Sequence, residues 1–369
     1  MSDFFNGAAL QSISEHLLPG AWAGLVAALV CIIAVPVALW LSRRFGVVAQ
    51  PGGRHAHLNP TPLLGGLAMW TGFAAGTLAF VRLDLQTIGV LVASGLAMAL
   101  LIIDDKRGMQ PLVKLGVQVA LAVLAVLAFG IQINFFSLPG NHVIQLGLLI
   151  VPVSIFWLVA MQNTVNFLDG ADGLAAGVVA IVALILMLAA GQLRQLQVVQ
   201  LSGALAGCCA GFLLFNFPPA RIFMGDSGAH FLGIALGMIS IVGIAKVAVA
   251  FALAAPVLAL ALPILDTGWA ILRRSRQGKS VAAPDTLHIH HRLQTLGLDA
   301  RQTCFVFYAA SALLGGLGLT LFGHGRILAV VLIAAGILTS TVVADMLLHG
   351  GWRVPAPWLR RLLGEPVSR

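Results

Sequence analysis

Apolar residues run along this chain in blocks of about 20, the length that crosses a bilayer core, and short polar stretches separate the blocks from end to end. The pattern predicts eleven spans, near 20–42, 63–81, 86–103, 111–130, 146–162, 173–191, 198–215, 227–245, 249–272, 303–322 and 327–348. None carries the small-residue processing site of a cleavable signal. No internal repeat stands out, and Pro-Gly stretches such as Pro51-Gly52-Gly53 fall in short loops. The expected fold class is an all-α polytopic membrane protein of about eleven transmembrane helices. Residues 1–369 form a single integral membrane domain with no separate soluble one.

Charge then orients the bundle. With the loops assigned alternately, only Arg82, Arg194, Lys246 and Arg326 fall on one side, and the other basic residues, including Arg43, Arg44, Lys106, Arg107 and Arg273, fall on the opposite side. Basic loops stay inside, so the N-terminus is expected outside and the C-terminus in the cytoplasm. Composition agrees, with 59% hydrophobic residues and only 9% charged, against about 25% in soluble domains. The net charge of +8 is spread over short loops. It argues for an acidic small molecule and lipid headgroups as partners, not nucleic acid. Cys31, Cys208, Cys209 and Cys304 lie in apolar runs and form no C-x-x-C pair, so they read as small packing residues.

The candidate chemistry gathers on the inner side. Asp104-Asp105 closes the third span, where the helix dipole disfavours a carboxylate. Asp105 could start the turn towards Pro111, or the pair could bind Mg²⁺ or deprotonate a phosphate. Residues 163–173 offer Asn163, Asn166, Asp169 and Asp172 between an apolar span and two glycines. A turn with an N-cap at Asp172 would explain part of this, but amides at an apolar helix end are costly unless they bind something. Asp226, in Phe223-Met224-Gly225-Asp226-Ser227-Gly228, and Asn216 add hard oxygen groups suited to Mg²⁺ and a diphosphate. His288, His290, His291 and Arg292 sit in the longest inward loop, about 273–302. A zinc site is the alternative there, but no H-E-x-x-H helix accompanies them and Arg292 would repel a cation, so they read as phosphate donors. Arg54 and His57 add cationic donors ahead of the glycine pair Gly65-Gly66, which lets helices approach closely. Asp266, inside the ninth span, is either functional or paired with a basic residue.

Taken in order, these signatures resemble the polyprenyl-phosphate N-acetylhexosamine-1-phosphate transferases, over about residues 43–302. The Asp104-Asp105 pair with Lys114 downstream, the N-x-x-N-x-x-D-G-x-D-G-L run from Asn163 to Leu174, G-D-x-G at Gly225 to Gly228 and H-I-H-H at His288 to His291 all match. The basic position before P-x-x-G-G is His57, as in the branch that loads GlcNAc-1-phosphate onto undecaprenyl phosphate to begin O-antigen, teichoic acid and related glycans. Two positions depart: Ala49-Gln50 stand where relatives carry an aspartate, and Gly108 replaces a third aspartate.

The resemblance implies a bacterial inner-membrane enzyme with its site facing the cytoplasm. It would release UMP from a UDP-sugar and form a lipid-diphosphate sugar, with Mg²⁺ or Mn²⁺ as cofactor and a homodimer compatible with the fold. On this reading Asp226 binds the metal with Asp105 or Asp169. Asp104 deprotonates or orients the lipid phosphate, His290, His291 and Arg292 hold the diphosphate, and Asn163, Asn166 and Asp172 the nucleotide. The rival from another class is a transporter of a small anionic solute, whose binding groups would sit nearer the bilayer midplane. The Asp169-Gly170 start of a CDP-alcohol phosphotransferase motif lacks its later aspartates.

Overall fold

The computed structural model describes residues 7–49, 60–138, 142–244 and 300–321, with 333–334 and 336–337. Among these residues nine α-helices are formed: α1 Gly7–Phe45, α2 Gly65–Phe80, α3 Leu85–Arg107, α4 Pro111–Val123, α5 Ile150–Leu168, α6 Leu174–Gln192, α7 Leu196–Asn216, α8 Gly225–Ile244 and α9 Ala300–Leu321. Local chemistry sets many of the ends. The Asp84 carboxylate accepts the Thr87 N–H at 2.8 Å to cap α3, and Gly108, at φ 69°, ends it. Pro111 opens α4, where its missing N–H costs nothing, and α4 closes in a π-turn over Leu124–Ala128.

Seven stretches among the described residues are long and apolar enough to cross a membrane: His16–Phe45, Leu85–Arg107, Pro111–Ala128, Gly147–Leu168, Leu174–Gln192, Leu196–Asn216 and Gly225–Gly243. The protein is therefore a polytopic membrane protein. The first eight predicted spans coincide with α1 to α8 and the tenth with α9. The ninth and, apart from four positions, the eleventh lie outside the described residues. At 16 residues, α2 is only about 24 Å long.

Helix α1 has two faces. Ala23, Ala27, Cys31, Val35 and Ala38 are buried, while Trp22, Leu25, Leu29, Ile33, Val37 and Trp40 are exposed in the direction of lipid. Its buried face meets α7 through glycine. A Cβ on Gly203 would stand 2.1 Å from the Gly20 carbonyl oxygen, one on Gly207 2.0 Å from that of Gly24, and one on Gly211 2.6 Å from that of Ala28. Small residues every four positions let the two backbones touch, the means by which helices associate where lipid offers no hydrophobic drive. Helix α2 packs on α1 in the same way through Gly72 and Gly76. Helices α6, α7 and α8 are buried nearly all round and form the centre of the bundle.

Two small antiparallel ladders qualify the all-helical expectation. Strands β1 (Val48–Ala49) and β2 (Thr61–Pro62) pair on either side of residues 50–59. Strands β3 (Phe135–Leu138) and β4 (His142–Gln145) pair at the opposite end of the bundle. That short hairpin is rich in aromatic and β-branched residues and lies between two helices, where no helical period competes with it.

Candidate active site

Successive helices run in alternate directions, so the end of α3, the start of α4, the end of α5, the start of α6, the end of α7 and the start of α8 meet at one end of the bundle. The aspartates singled out above at 104, 105, 169, 172 and 226 all lie there. Lys114, in the first turns of α4, stands between two of them. Its Nζ donates to Asp226 Oδ2 at 2.6 Å and lies 3.0 Å from Asp104 Oδ2. The second approach is an ion pair without a well-directed hydrogen bond, since Asp104 Oδ2 is buried and has no aligned donor. The other Asp104 oxygen accepts the Met109 N–H at 2.6 Å. Asp104, not Asp105, is thus the residue that fastens the turn towards Pro111.

Asp105 has a different task. Its Oδ1 accepts the Asp226 N–H at 2.6 Å and its Oδ2 the Ser227 N–H at 3.2 Å. These are two of the orphan donors at the start of α8, so a carboxylate from α3 caps a helix far away in sequence. Gly225 makes room for it. Its φ is +71°, and a Cβ there would stand 2.6 and 2.7 Å from the two Asp105 oxygens. The start of α2 completes the cradle, with Gly65 N–H and Gly66 N–H donating to the carbonyls of Phe223 and Met224, each at 3.0 Å.

Asn166 donates to Asp226 Oδ1, so both oxygens of that carboxylate are held, one by α5 and one by α4. Asn163 joins a buried chain of polar groups. Its Nδ2 donates to Gln118 Oε1 at 2.7 Å and to the Val159 carbonyl at 2.8 Å. Gln118 Nε2 lies 2.8 Å from His230 Nε2, and His230 Nδ1 lies 2.8 Å from the Asp226 carbonyl oxygen. The carbonyl can only accept, so the proton is assigned to Nδ1 and Nε2 accepts from Gln118. Gln118 is 2% exposed and His230 0%. Neither had been singled out from sequence, although a glutamine one turn beyond Lys114 and a histidine one turn beyond Asp226 are conspicuous in apolar helices.

The α5–α6 and α7–α8 loops are tied to each other. Asn216 Oδ1 accepts the Gly173 N–H at 3.0 Å, and its Nδ2 donates to the Ile222 carbonyl at 2.8 Å. Asp172 Oδ2 accepts the Ala220 N–H at 2.9 Å. The N-cap position of α6 is Gly173, in the left-handed region at φ 74°, in place of the expected Asp172. Asp169 caps the end of α5 through its backbone, and no described residue donates a hydrogen bond to its carboxylate. Burial, with the negative charges of Asp226, Asp105 and Asp172 around it, pushes the Asp169 carboxyl well above the ordinary carboxylate range. Arg54, His57, Asp266, His288, His290, His291 and Arg292 lie outside the described residues.

As a cation site this arrangement is partial. Among the described residues no three metal-ligating side chains converge, and Asp105 spends both oxygens on backbone donors. Yet among the described residues hard oxygen groups outnumber the Lys114 ammonium, and none of those residues donates a hydrogen bond to the Asp169 carboxylate. Such a set suits Mg²⁺, which is held by one or two carboxylates with substrate phosphates and water filling the remaining positions.

The chain is similar to known proteins over most of its length. Residues 87–244, which span α3 to α8, match the profile of glycosyl transferase family 4. The chain is 34% identical over 300 residues to a probable undecaprenyl-phosphate N-acetylglucosaminyl 1-phosphate transferase of Bacillus subtilis, covering 80% of this chain and 83% of that protein. It is 36% identical over 315 residues to a decaprenyl-phosphate N-acetylglucosaminephosphotransferase of Mycolicibacterium smegmatis, covering 77% and 78%. A phospho-N-acetylmuramoyl-pentapeptide-transferase of Clostridioides difficile is 29% identical over 312 residues, covering 79% and 94%. With identity above 30% extending over most of both chains, and with the matched profile containing the described site from Asp104 to Asp226, this chain belongs to glycosyl transferase family 4.

Proposed function

We propose that the protein transfers an N-acetylhexosamine 1-phosphate, foremost GlcNAc 1-phosphate, from its UDP-sugar to undecaprenyl phosphate at the cytoplasmic face of the bacterial inner membrane. The product would begin a cell-envelope glycan such as O-antigen. One observation carries the reading: aspartates from α3 and α8 share Lys114, and the carboxyl of Asp169 in the α5–α6 loop is buried among Asp226, Asp105 and Asp172 at the same end of an apolar bundle. Ionised groups at a membrane helix end are costly unless they serve a charged ligand, and the relatives are named as transferases of this kind.

The reaction is attack by an oxygen of the lipid phosphate on the β-phosphorus of the UDP-sugar. A new P–O bond forms as the bond from that phosphorus to the bridging oxygen breaks, and UMP leaves with the electron pair. Phosphoryl transfer of this kind needs alignment and charge neutralisation more than covalent help. Asp104 takes the proton of a singly ionised lipid phosphate or orients the doubly ionised one, with Lys114 as its counter-ion. Asp226 and Asp169 are the residues that would hold Mg²⁺, whose charge, when bound, offsets that of the diphosphate. Asn166 and Asp105 keep Asp226 aimed. The nucleotide lies against the paired loops 169–173 and 217–223, and His290, His291 and Arg292, with Arg54 and His57, donate to the phosphates.

The test is incubation of purified protein with undecaprenyl phosphate, Mg²⁺ and a panel of UDP-N-acetylhexosamines, following UMP and the lipid product. UMP with one donor establishes the reaction and the sugar, while no UMP with any donor from folded protein refutes it. The carrier alternative has no counterpart among the relatives named above.

A further inference from the structure

Helix α9 begins where the signature region ends, yet it reaches back onto the two loops assigned to the nucleotide. Arg301 Nε donates to the Pro218 carbonyl at 3.0 Å, Cys304 Sγ to the Asp172 carbonyl at 3.0 Å and the Tyr308 hydroxyl to the Gly173 carbonyl at 2.6 Å. Positions 301, 304 and 308 fall on one helical face, so a single rigid element takes a carbonyl from the α7–α8 loop and two from the α5–α6 loop. Cys304 is fully buried and the tyrosine only 7% exposed, while Arg301 lies at the surface. The packing is built for it. A Cβ on Gly177 would stand 2.1 Å from the phenol oxygen, so only glycine there leaves a slot for the ring. Phe305, on the same helix, meets Phe217 with ring centroids 5.9 Å apart and Tyr308 edge-on at 6.1 Å. Gly173 thereby has its N–H held by Asn216 and its carbonyl by Tyr308.

We propose that Tyr308, supported by Arg301 and Cys304, is a positioning residue for the donor nucleotide: it fixes the Asp169 to Gly173 loop against the 217–220 loop so that their ligand-facing groups are in place before the UDP-sugar arrives. This rests on the transferase reading above. Pre-ordering of a loop shows in donor binding, not in the chemical step, because the ordering cost otherwise falls on the binding event. Tyr308→Phe keeps the ring in its slot and removes one hydrogen bond. It should raise KM for the UDP-sugar about three- to tenfold, the range of one neutral hydrogen bond, with kcat within about twofold and KM for the lipid phosphate unchanged. Gly177→Ala, which places no group able to touch substrate but displaces the phenol, should shift the same KM.

Tyr308 is the only tyrosine in the chain. Full-length protein grown with 3-fluorotyrosine therefore gives one ¹⁹F resonance, which should move on adding UMP and stay put on adding undecaprenyl phosphate alone. Loss of kcat with KM unchanged in Tyr308→Phe overturns the proposal. So does a ¹⁹F signal blind to UMP, which decides the matter even if the variants fail to fold. A wild-type enzyme that releases no UMP refutes the transferase reading instead, and the two failures are told apart by that control.

Discussion

Removing the Asp105 side chain should disable the enzyme without removing anything that touches substrate. Asp105→Ala deletes two charge-assisted hydrogen bonds to the N–H groups of Asp226 and Ser227 and leaves two donors at the buried start of α8 without a partner. Each such loss is worth about 1–3 kcal/mol, so the α8 start in its present form loses roughly 2–6 kcal/mol. That is enough to let it rearrange. Asp226 rides on that turn, and a displacement of about 1 Å at a catalytic group costs on the order of a hundredfold in rate. UMP release by Asp105→Ala should therefore fall by about a hundredfold or more. Asp105→Asn retains one acceptor oxygen and should lose only about tenfold, with the Mg²⁺ concentration for half-maximal rate within about threefold of wild type. Gly225→Ala should resemble the alanine variant, because its Cβ would collide with the Asp105 carboxylate and alanine is strained at φ +71°. A shift of the Mg²⁺ requirement by more than tenfold in Asp105→Asn, at unchanged thermal stability, would show that Asp105 is a direct metal ligand and refute the capping argument.

Chelation should abolish UMP release and added Mg²⁺ or Mn²⁺ should restore it; activity that survives thorough chelation rules out the cation role given to Asp226 and Asp169. Lys114→Met leaves the Asp104 and Asp226 carboxylates facing each other with no counter-ion and should lower kcat by at least a hundredfold, whereas an unchanged kcat would make the ion pair incidental. His230→Leu leaves Gln118 Nε2 only its long 3.4 Å bond to Asn163 Oδ1 and removes a donor from the Asp226 carbonyl, a cost of about 1–3 kcal/mol that should appear as a lower midpoint of thermal unfolding in detergent. Gly207→Leu cannot be accommodated beside the Gly24 carbonyl, 2.0 Å from the nearest side-chain position, and should sharply reduce the yield of folded protein. Wild-type yield would disprove close backbone contact between α1 and α7.

Much of the bundle was legible because the signals were local. Glycine, proline and aspartate punctuate the apolar blocks, so α3, α6, α7 and α8 begin and end close to where composition places them. Their alternation alone brings Asp104, Asp169 and Asp226 to one end. What stayed hidden depended on partners distant in sequence. Helix α5 continues through Leu168, past the expected end at 162, because Asn163 and Asn166 find Gln118 and Asp226 on other helices and need not break the helix to be solvated. The cap supplied by Asp105 spans 121 residues to Asp226, and no local motif encodes it. Asn216 offered a ligand-like amide, yet the fold spends both ends of it on backbone groups. The α9 contacts with Asp172 and Gly173 are likewise invisible until the bundle closes.

The glycine seam also bears on how the protein is made. Helix α1 is synthesised first, but the backbone it is shaped to touch, at Gly203, Gly207 and Gly211, emerges only when α7 is complete. At about 5–20 residues per second the wait from Ala28 to Gly211 is roughly 10–40 s. Until α6 follows with a smaller contact near Leu17, the grooved face of α1 has only α2 against it, and lipid tails must fill the remainder. Arrival of α7 then expels those tails and fixes α1 and α2 around the centre of the bundle. The end of α1 and the start of α2 frame the candidate site, so its assembly is a late event in biogenesis, governed by a joint that contains none of its residues.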